Sequence, residues 1–120
     1  MTNFFIYGTL KRGHGRSALL DGQHFLGEKK TAPRYRLFTT GSFPALVDAG
    51  RANVMLPGMS IEGELWQIDD ECLAVLDRVE GVAAQLFERR QIELLEHEGE
   101  VEAYFCLGEI EELKDCGERW

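Results

Sequence analysis

IEGELWQIDDECLAVLDRVEG, residues 61–81, holds an extended segment and a helix back to back, and the rest of the fold can be read outward from it. Ile61–Ile68 is short, β-branched and aromatic, which predicts a strand. Gly63 inside it predicts a bulge or a close approach by another backbone. From Asp70 onward the period changes: Cys72, Leu73, Val75, Leu76 and Val79 recur at spacings of three and four, the stripe of an amphipathic helix. Asp69-Asp70 supplies an N-cap, because an aspartate oxygen accepts from the unpaired N–H groups of the first turn. Gly81 supplies the residue that leaves the helix in a left-handed conformation.

Upstream, Asn3–Tyr7 is a buried strand that runs into a turn at Gly8, and Gly13, Gly15 and Gly22 punctuate a loop around a short helix near Arg16–Leu20. Gln23–Phe38 predicts one or two strands interrupted at Pro33, and Ala45–Val47 a further strand before the turn at Pro57-Gly58. Downstream, Leu86–Leu95 and Val101–Leu107 predict a strand pair joined across His97–Glu100. About six strands with one or two helices imply an α+β fold whose antiparallel-rich sheet is curved or closed. The acidic segment Glu109–Trp120 is expected to be a solvated tail.

The 120 residues suit one domain, 1–120, with a core of ordinary size, since 44% are hydrophobic and 28% charged. Thirteen basic against 21 acidic residues give a net charge of −8, which opposes nucleic acid as a partner. The charge is unevenly placed: residues 1–50 hold seven Lys/Arg and three Asp/Glu, so the N-terminal part can still receive a small anion. Cys72, Cys106 and Cys116 are odd in number and fit neither a disulfide framework nor a metal-binding pair, so they read as reduced thiols of a cytoplasmic protein. No apolar run approaches the roughly 18 residues that cross a bilayer, so no membrane association is expected.

Most motifs fail on chemistry. Gly8–Gly13 has the two glycines of a phosphate-cradling loop, but His14-Gly15 follow where Lys-Ser/Thr would have to reach the phosphates. His14, His24 and His97 share no metal-ligand spacing, and Ser42 lacks the Gly-x-Ser-x-Gly elbow of a nucleophile. Two features survive. At Tyr7-Gly8-Thr9-Leu10 a strand ends, and its freed N–H groups can converge on a carboxylate or an oxyanion, with Gly8 allowing close approach. Glu80, in the last turn of the helix, meets the negative end of the helix dipole, which disfavours its charge by a few tenths to about 1 kcal/mol. Beside a dry cavity such a carboxylate suits proton transfer near neutral pH, whereas on open surface it is only a mismatched helix end.

Taken together, YGTLKRG (Tyr7–Gly13), FPAL (Phe43–Leu46), EGELW (Glu62–Trp66), LDRVEG (Leu76–Gly81) and LFERR (Leu86–Arg90) resemble the γ-glutamylcyclotransferase-like family, in particular its γ-glutamylamine cyclotransferase branch and small bacterial relatives. The resemblance implies a small mixed, barrel-like sheet with flanking helices and a cavity at one end. It further implies that Tyr7, Gly8, Thr9 and Leu10 bind the γ-glutamyl group and that Glu80 is the acid/base. The reaction implied closes a small γ-glutamyl conjugate to 5-oxoproline with release of an amine, and it needs no cofactor and no metal. One position departs: where family members often carry Tyr-x-Arg, this chain has Phe87-Glu88-Arg89, so the arginine matches and a phenol is missing. Arg89 and Glu64 are secondary candidates for the substrate site, each also readable as structural. The missing phenol keeps open an alternative from another class, a noncatalytic module that binds a small carboxylate or a protein on the same fold.

Overall fold

The computed structural model describes residues 1–8, 17–39, 43–51, 54, 56–110 and 113–120. The elements run β1 (Thr2–Ile6), a 3-10 turn (Ser17–Leu20), β2 (His24–Lys30), β3 (Tyr35–Thr39), β4 (Pro44–Asp48), β5 (Glu62–Ile68), α1 (Asp70–Val79), β6 (Phe87–Gln91), β7 (Glu102–Cys106) and β8 (Lys114–Asp115). β2-β5-β1-β7-β6 form one sheet and β4-β3-β8 a second. Every pairing is antiparallel except β1 with β7. The fold is therefore a small mixed α+β architecture with mainly antiparallel strands and one α-helix.

Strand alternation sorts the side chains into two cores. From the five-stranded sheet, Phe5, Tyr7, Leu65, Ala103 and Phe105 face Tyr35, Leu37 and Leu46 of the smaller sheet. From its other side, Phe4, Ile6, Trp66, Ile68 and Tyr104 pack against Leu73 and Leu76 of α1. Leu76 is fully buried, and each such leucine is worth about 2 kcal/mol of burial. The helix thus covers one face of the sheet while the smaller sheet covers the other, and the C-terminal end of α1 comes to the strand end where β1 stops.

The helix has the predicted boundaries. Asp69 caps it by accepting from the Cys72 N–H at 2.8 Å and is itself held by Gln23, whose side chain donates to its second carboxylate oxygen at 3.1 Å. Gly63 is a close approach: a Cβ there would lie 2.5 Å from the Ile6 carbonyl oxygen and 2.5 Å from the Phe5 ring. The register shift falls on the partner strand instead, between Phe25 and Gly27.

Two expectations are corrected. The strand predicted over Leu86–Leu95 pairs with β7 only as far as Ile92, whose N–H donates to the Val101 carbonyl. Beyond it the chain leaves for β2: Ala32 donates to the Glu93 carbonyl and Leu95 to that of Lys30, which buries Leu94 between the sheets. The C-terminal segment is docked, not a solvated tail. Cys116 donates to the Leu37 carbonyl, Glu62 to that of Glu118, Ile110 is buried, and Trp120 packs on the inter-sheet core. Its described acids Glu109, Asp115 and Glu118 are exposed, Asp115 pairing with Arg36, while its backbone joins a sheet, a pattern that charge content does not reveal.

Candidate active site

Glu80 is the C-cap of α1, with φ −83° and ψ −3°, and its N–H still donates to the Leu76 carbonyl at 2.9 Å. The next residue, Gly81, turns out of the helix at φ +70°. That turn is then clamped, since Leu86 donates to the Gly81 carbonyl at 3.1 Å and lays its side chain against the space where a Cβ would stand. Helix cap and clamp together fix where the Glu80 side chain starts. Glu80 is half-buried, and its carboxylate acts on two phenols, Tyr7 from β1's end and Tyr104 from β7.

Tyr7 is buried and donates its hydroxyl to the Tyr104 carbonyl at 2.6 Å. Burial pushes its ionisation well above the usual tyrosine range, and the charge of Glu80 pushes it further. Tyr104 stacks on Phe4 with ring centroids 4.9 Å apart and donates its hydroxyl to Asp77 at 2.7 Å. Burial raises its ionisation too, with the carboxylates of Asp77 and Glu80 adding to the effect and Arg89 opposing it. Both phenols are therefore neutral donors at physiological pH.

Gly8 follows Tyr7 and sits against the FPAL segment, where a Cβ would come within 2.6 Å of Pro44 Cγ. Thr9 and Leu10, the other two residues of the predicted loop, lie outside the described residues, as do His14 and Ser42. Phe87 is buried opposite Cys106 and meets Phe43 edge-on at 6.4 Å, so the position of the missing phenol is filled by an aromatic contact. Arg89 pairs with Asp77 (Nε to Oδ1, 3.1 Å) and with Glu102 (Nη1 to Oε1, 3.3 Å).

Tyr7, Gly8, Glu80, Phe87 and Arg89 thus gather around one end of α1. Glu64 belongs to the same row across the sheet but on the far side of β1: it is opposite Ile6, two strands and roughly 10 Å from Tyr104. It is buried, accepts from Trp66 Nε1 at 3.1 Å, and lines a cavity of about 790 Å³ with Lys29, Lys30, Arg119 and Trp120. Among the described residues no group of three or more His, Cys, Asp or Glu side chains could hold a metal ion. Likewise, among them no helix is long and apolar enough to cross a membrane. Sequence reasoning missed Tyr104 and Asp77. The signal for Asp77 was its place one helical turn before Glu80 in LDRVEG.

Comparisons with known proteins show the family to which this fold belongs. A family model for gamma-glutamyl cyclotransferase, AIG2-like, matches residues 4–120. The chain belongs to that family. A mouse gamma-glutamylaminecyclotransferase is 38% identical over 109 residues, a stretch covering 83% of this chain and 69% of the mouse protein. A Vibrio cholerae relative is 34% identical over 81 residues, 68% of this chain and 64% of its own, so this chain spans about two thirds of the length of such relatives. The solved structure of an aig2-like protein from Mus musculus superposes with a TM-score of 0.69 at 26% identity, covering 89% of this chain and 78% of the other. This family member therefore shares the fold of that mouse protein.

Proposed function

We propose that this single domain, residues 1–120, is a cytoplasmic γ-glutamylcyclotransferase that closes the γ-glutamyl group of a small amine or amide conjugate to 5-oxoproline and releases the amine. The observation that carries the reading is the half-buried Glu80 carboxylate at the fixed end of α1, in electrostatic contact with Tyr7 at the head of the YGTL loop. The family membership and the mouse relative's name support the same chemistry.

The reaction follows from proton accounting. The substrate's α-ammonium, with an ordinary pKa of about 8, must lose a proton before its nitrogen can attack. Glu80 accepts that proton. The freed nitrogen attacks the δ-carbonyl carbon of the same molecule, and the N–C bond closes a five-membered ring while the carbonyl electrons move onto oxygen. Main-chain donors of the Tyr7–Leu10 loop stabilise that oxyanion. The ring nitrogen then carries one proton too many for a lactam. When the carbonyl reforms and the bond to the leaving nitrogen breaks, Glu80 returns its first proton to that nitrogen, takes the second from the ring nitrogen and passes it on as well, so the amine leaves as an ammonium and the carboxylate is regenerated. Because the attack is intramolecular, the protein need only hold the substrate folded and relay two protons from the attacking to the leaving nitrogen.

Phe87 supports a second reading, in which the same site binds a small carboxylate without turnover, because it removes a hydroxyl that family members often carry. Release of 5-oxoproline from a panel of γ-glutamyl compounds by the wild type and by Glu80→Gln separates the two. Turnover that vanishes in the variant while ligand binding persists supports the enzyme. Equal turnover in both proteins removes Glu80 from its role, and no turnover with any compound favours the binding module.

A further inference from the structure

The last turn of α1 and its cap carry two carboxylates, Asp77 and Glu80, three residues apart and therefore neighbours on one helix face, their Cβ atoms about 6 Å apart by helix geometry. They stand where the helix dipole is already negative, so the charge of Asp77 works against a second charge at Glu80. What meets them from β6 is Arg89, with Nε 3.1 Å from Asp77 Oδ1 and Nη1 3.3 Å from Glu102 of β7. Tyr104 donates to the same Asp77 oxygen at 2.7 Å and is Arg89's register partner across the β6–β7 pair. Tyr7, just past the end of β1, is the other described phenol that feels the Glu80 charge. The two phenols are neutral, and the Tyr104 hydroxyl feels the charges of Asp77, Glu80 and Arg89 together, which places these three around it.

We propose that Arg89, locked to Asp77 beside the Tyr104 hydroxyl, is a positioning residue that cancels the field of Asp77 at Glu80 and so keeps Glu80 a carboxylate able to accept a proton. Arg89 then acts through an ion pair and does not contact the substrate. The value of this arrangement to catalysis rests on the proton-acceptor role given to Glu80 above, whereas the arrangement itself can be measured without turnover.

The experiment is a titration of ¹³C-labelled glutamate side chains by NMR, with the Glu80 signal assigned by its loss in Glu80→Gln. Arg89→Gln is expected to raise the Glu80 pKa by about 0.5 to 2 units, the span for two unit charges about 6 Å apart at effective dielectric constants of ~80 to ~20. Asp77→Asn is expected to lower it, and the double variant Asp77→Asn/Arg89→Gln to return it near the wild-type value. Arg89→Lys, which keeps the charge, stays close to wild type. Shifts of the same sign in both single variants, or no shift in either, overturn the proposal. So does a raised KM in both Arg89→Gln and the double variant with an unmoved Glu80 titration, which would place Arg89 on the substrate. Should the opposed shifts appear in a protein that releases no 5-oxoproline, the ion pair stands and the cyclotransferase reading fails.

Discussion

Gly8 joins the end of β1 to the loop proposed above to hold the substrate, and replacing it with alanine gives a prediction whose size can be worked from the structure. Gly8 does not adopt a positive φ, so an alanine is acceptable to its backbone, and the obstacle is space alone. The new Cβ would lie 2.6 Å from Pro44 Cγ and 3.1 Å from its Cδ, against ordinary contacts that begin at 3.4 Å. Both atoms belong to a stiff ring at the start of β4, so the strand end carrying Tyr7 and Gly8 has to move by about 0.8 Å to restore contact. Overpacking of that kind costs about 1–3 kcal/mol of stability, which a urea slope of about 1–3 kcal/mol/M converts to a midpoint lowered by roughly 1 M. A displacement near 1 Å at a positioning loop costs up to about 100-fold in rate. Gly8→Ala is therefore expected to retain its fold, as read by far-UV circular dichroism, with 5-oxoproline release reduced about 10- to 100-fold. Pro44→Ala removes both clashing atoms, and the double variant Gly8→Ala/Pro44→Ala is expected to recover most of the loss. Wild-type stability and rate in Gly8→Ala, or additive losses in the double variant, would refute the reasoning.

Three further outcomes follow from the same contacts. Leu76→Ala empties a fully buried site between α1 and the sheet and should cost about 2–5 kcal/mol in chemical denaturation. Asp69→Ala removes the helix cap; because the Cys72 N–H and Gln23 hold the native carboxylate below its ordinary value of 3.8, the wild type's advantage is full above that pH and should shrink as the pH falls below it in acid denaturation curves. Tyr7 and Tyr104 have raised ionisation, so the stability they carry is present below pH 10 and lost above it. Their phenolate absorbance should therefore appear only together with alkaline unfolding, and reversible ionisation of either in the folded protein near pH 10 would contradict their burial.

Sequence carried some of these elements and not others, for physical reasons. The helix was legible to the residue because its signals are local: an aspartate that caps, a stripe of spacing three and four, and a glycine able to turn left-handed at φ +70°. Strand order was not, because β1 lies between β5 and β7, and the β7 pairing joins Phe4 to Glu102 with no turn between them to betray it. The C-terminal segment misled because its docking rests on main-chain groups of Cys116 and Glu118 and on two apolar side chains, Ile110 and Trp120, set among acids. At the site, Glu80 could be named from its helix-end position and from the motif around it. Tyr104 could not, since in EAYFC it reads as one more core aromatic and its hydroxyl's partner stands on a helix 27 residues earlier.

The insertion of the first strand between the fifth and seventh has a consequence for biosynthesis. The ribosome delivers β1 first, yet its partners are Glu64–Ile68 on one side and Glu102 on the other, and the Tyr7 hydroxyl finds its acceptor 97 residues downstream. The apolar run Phe4-Phe5-Ile6 must therefore wait for the β5 edge until Ile68 has emerged and for the β7 edge until more than a hundred residues have, a delay of roughly 5 to 20 s at ordinary translation rates. During those seconds the nascent chain is a client for holding chaperones, and its vulnerability to self-association peaks before β7 has left the exit tunnel.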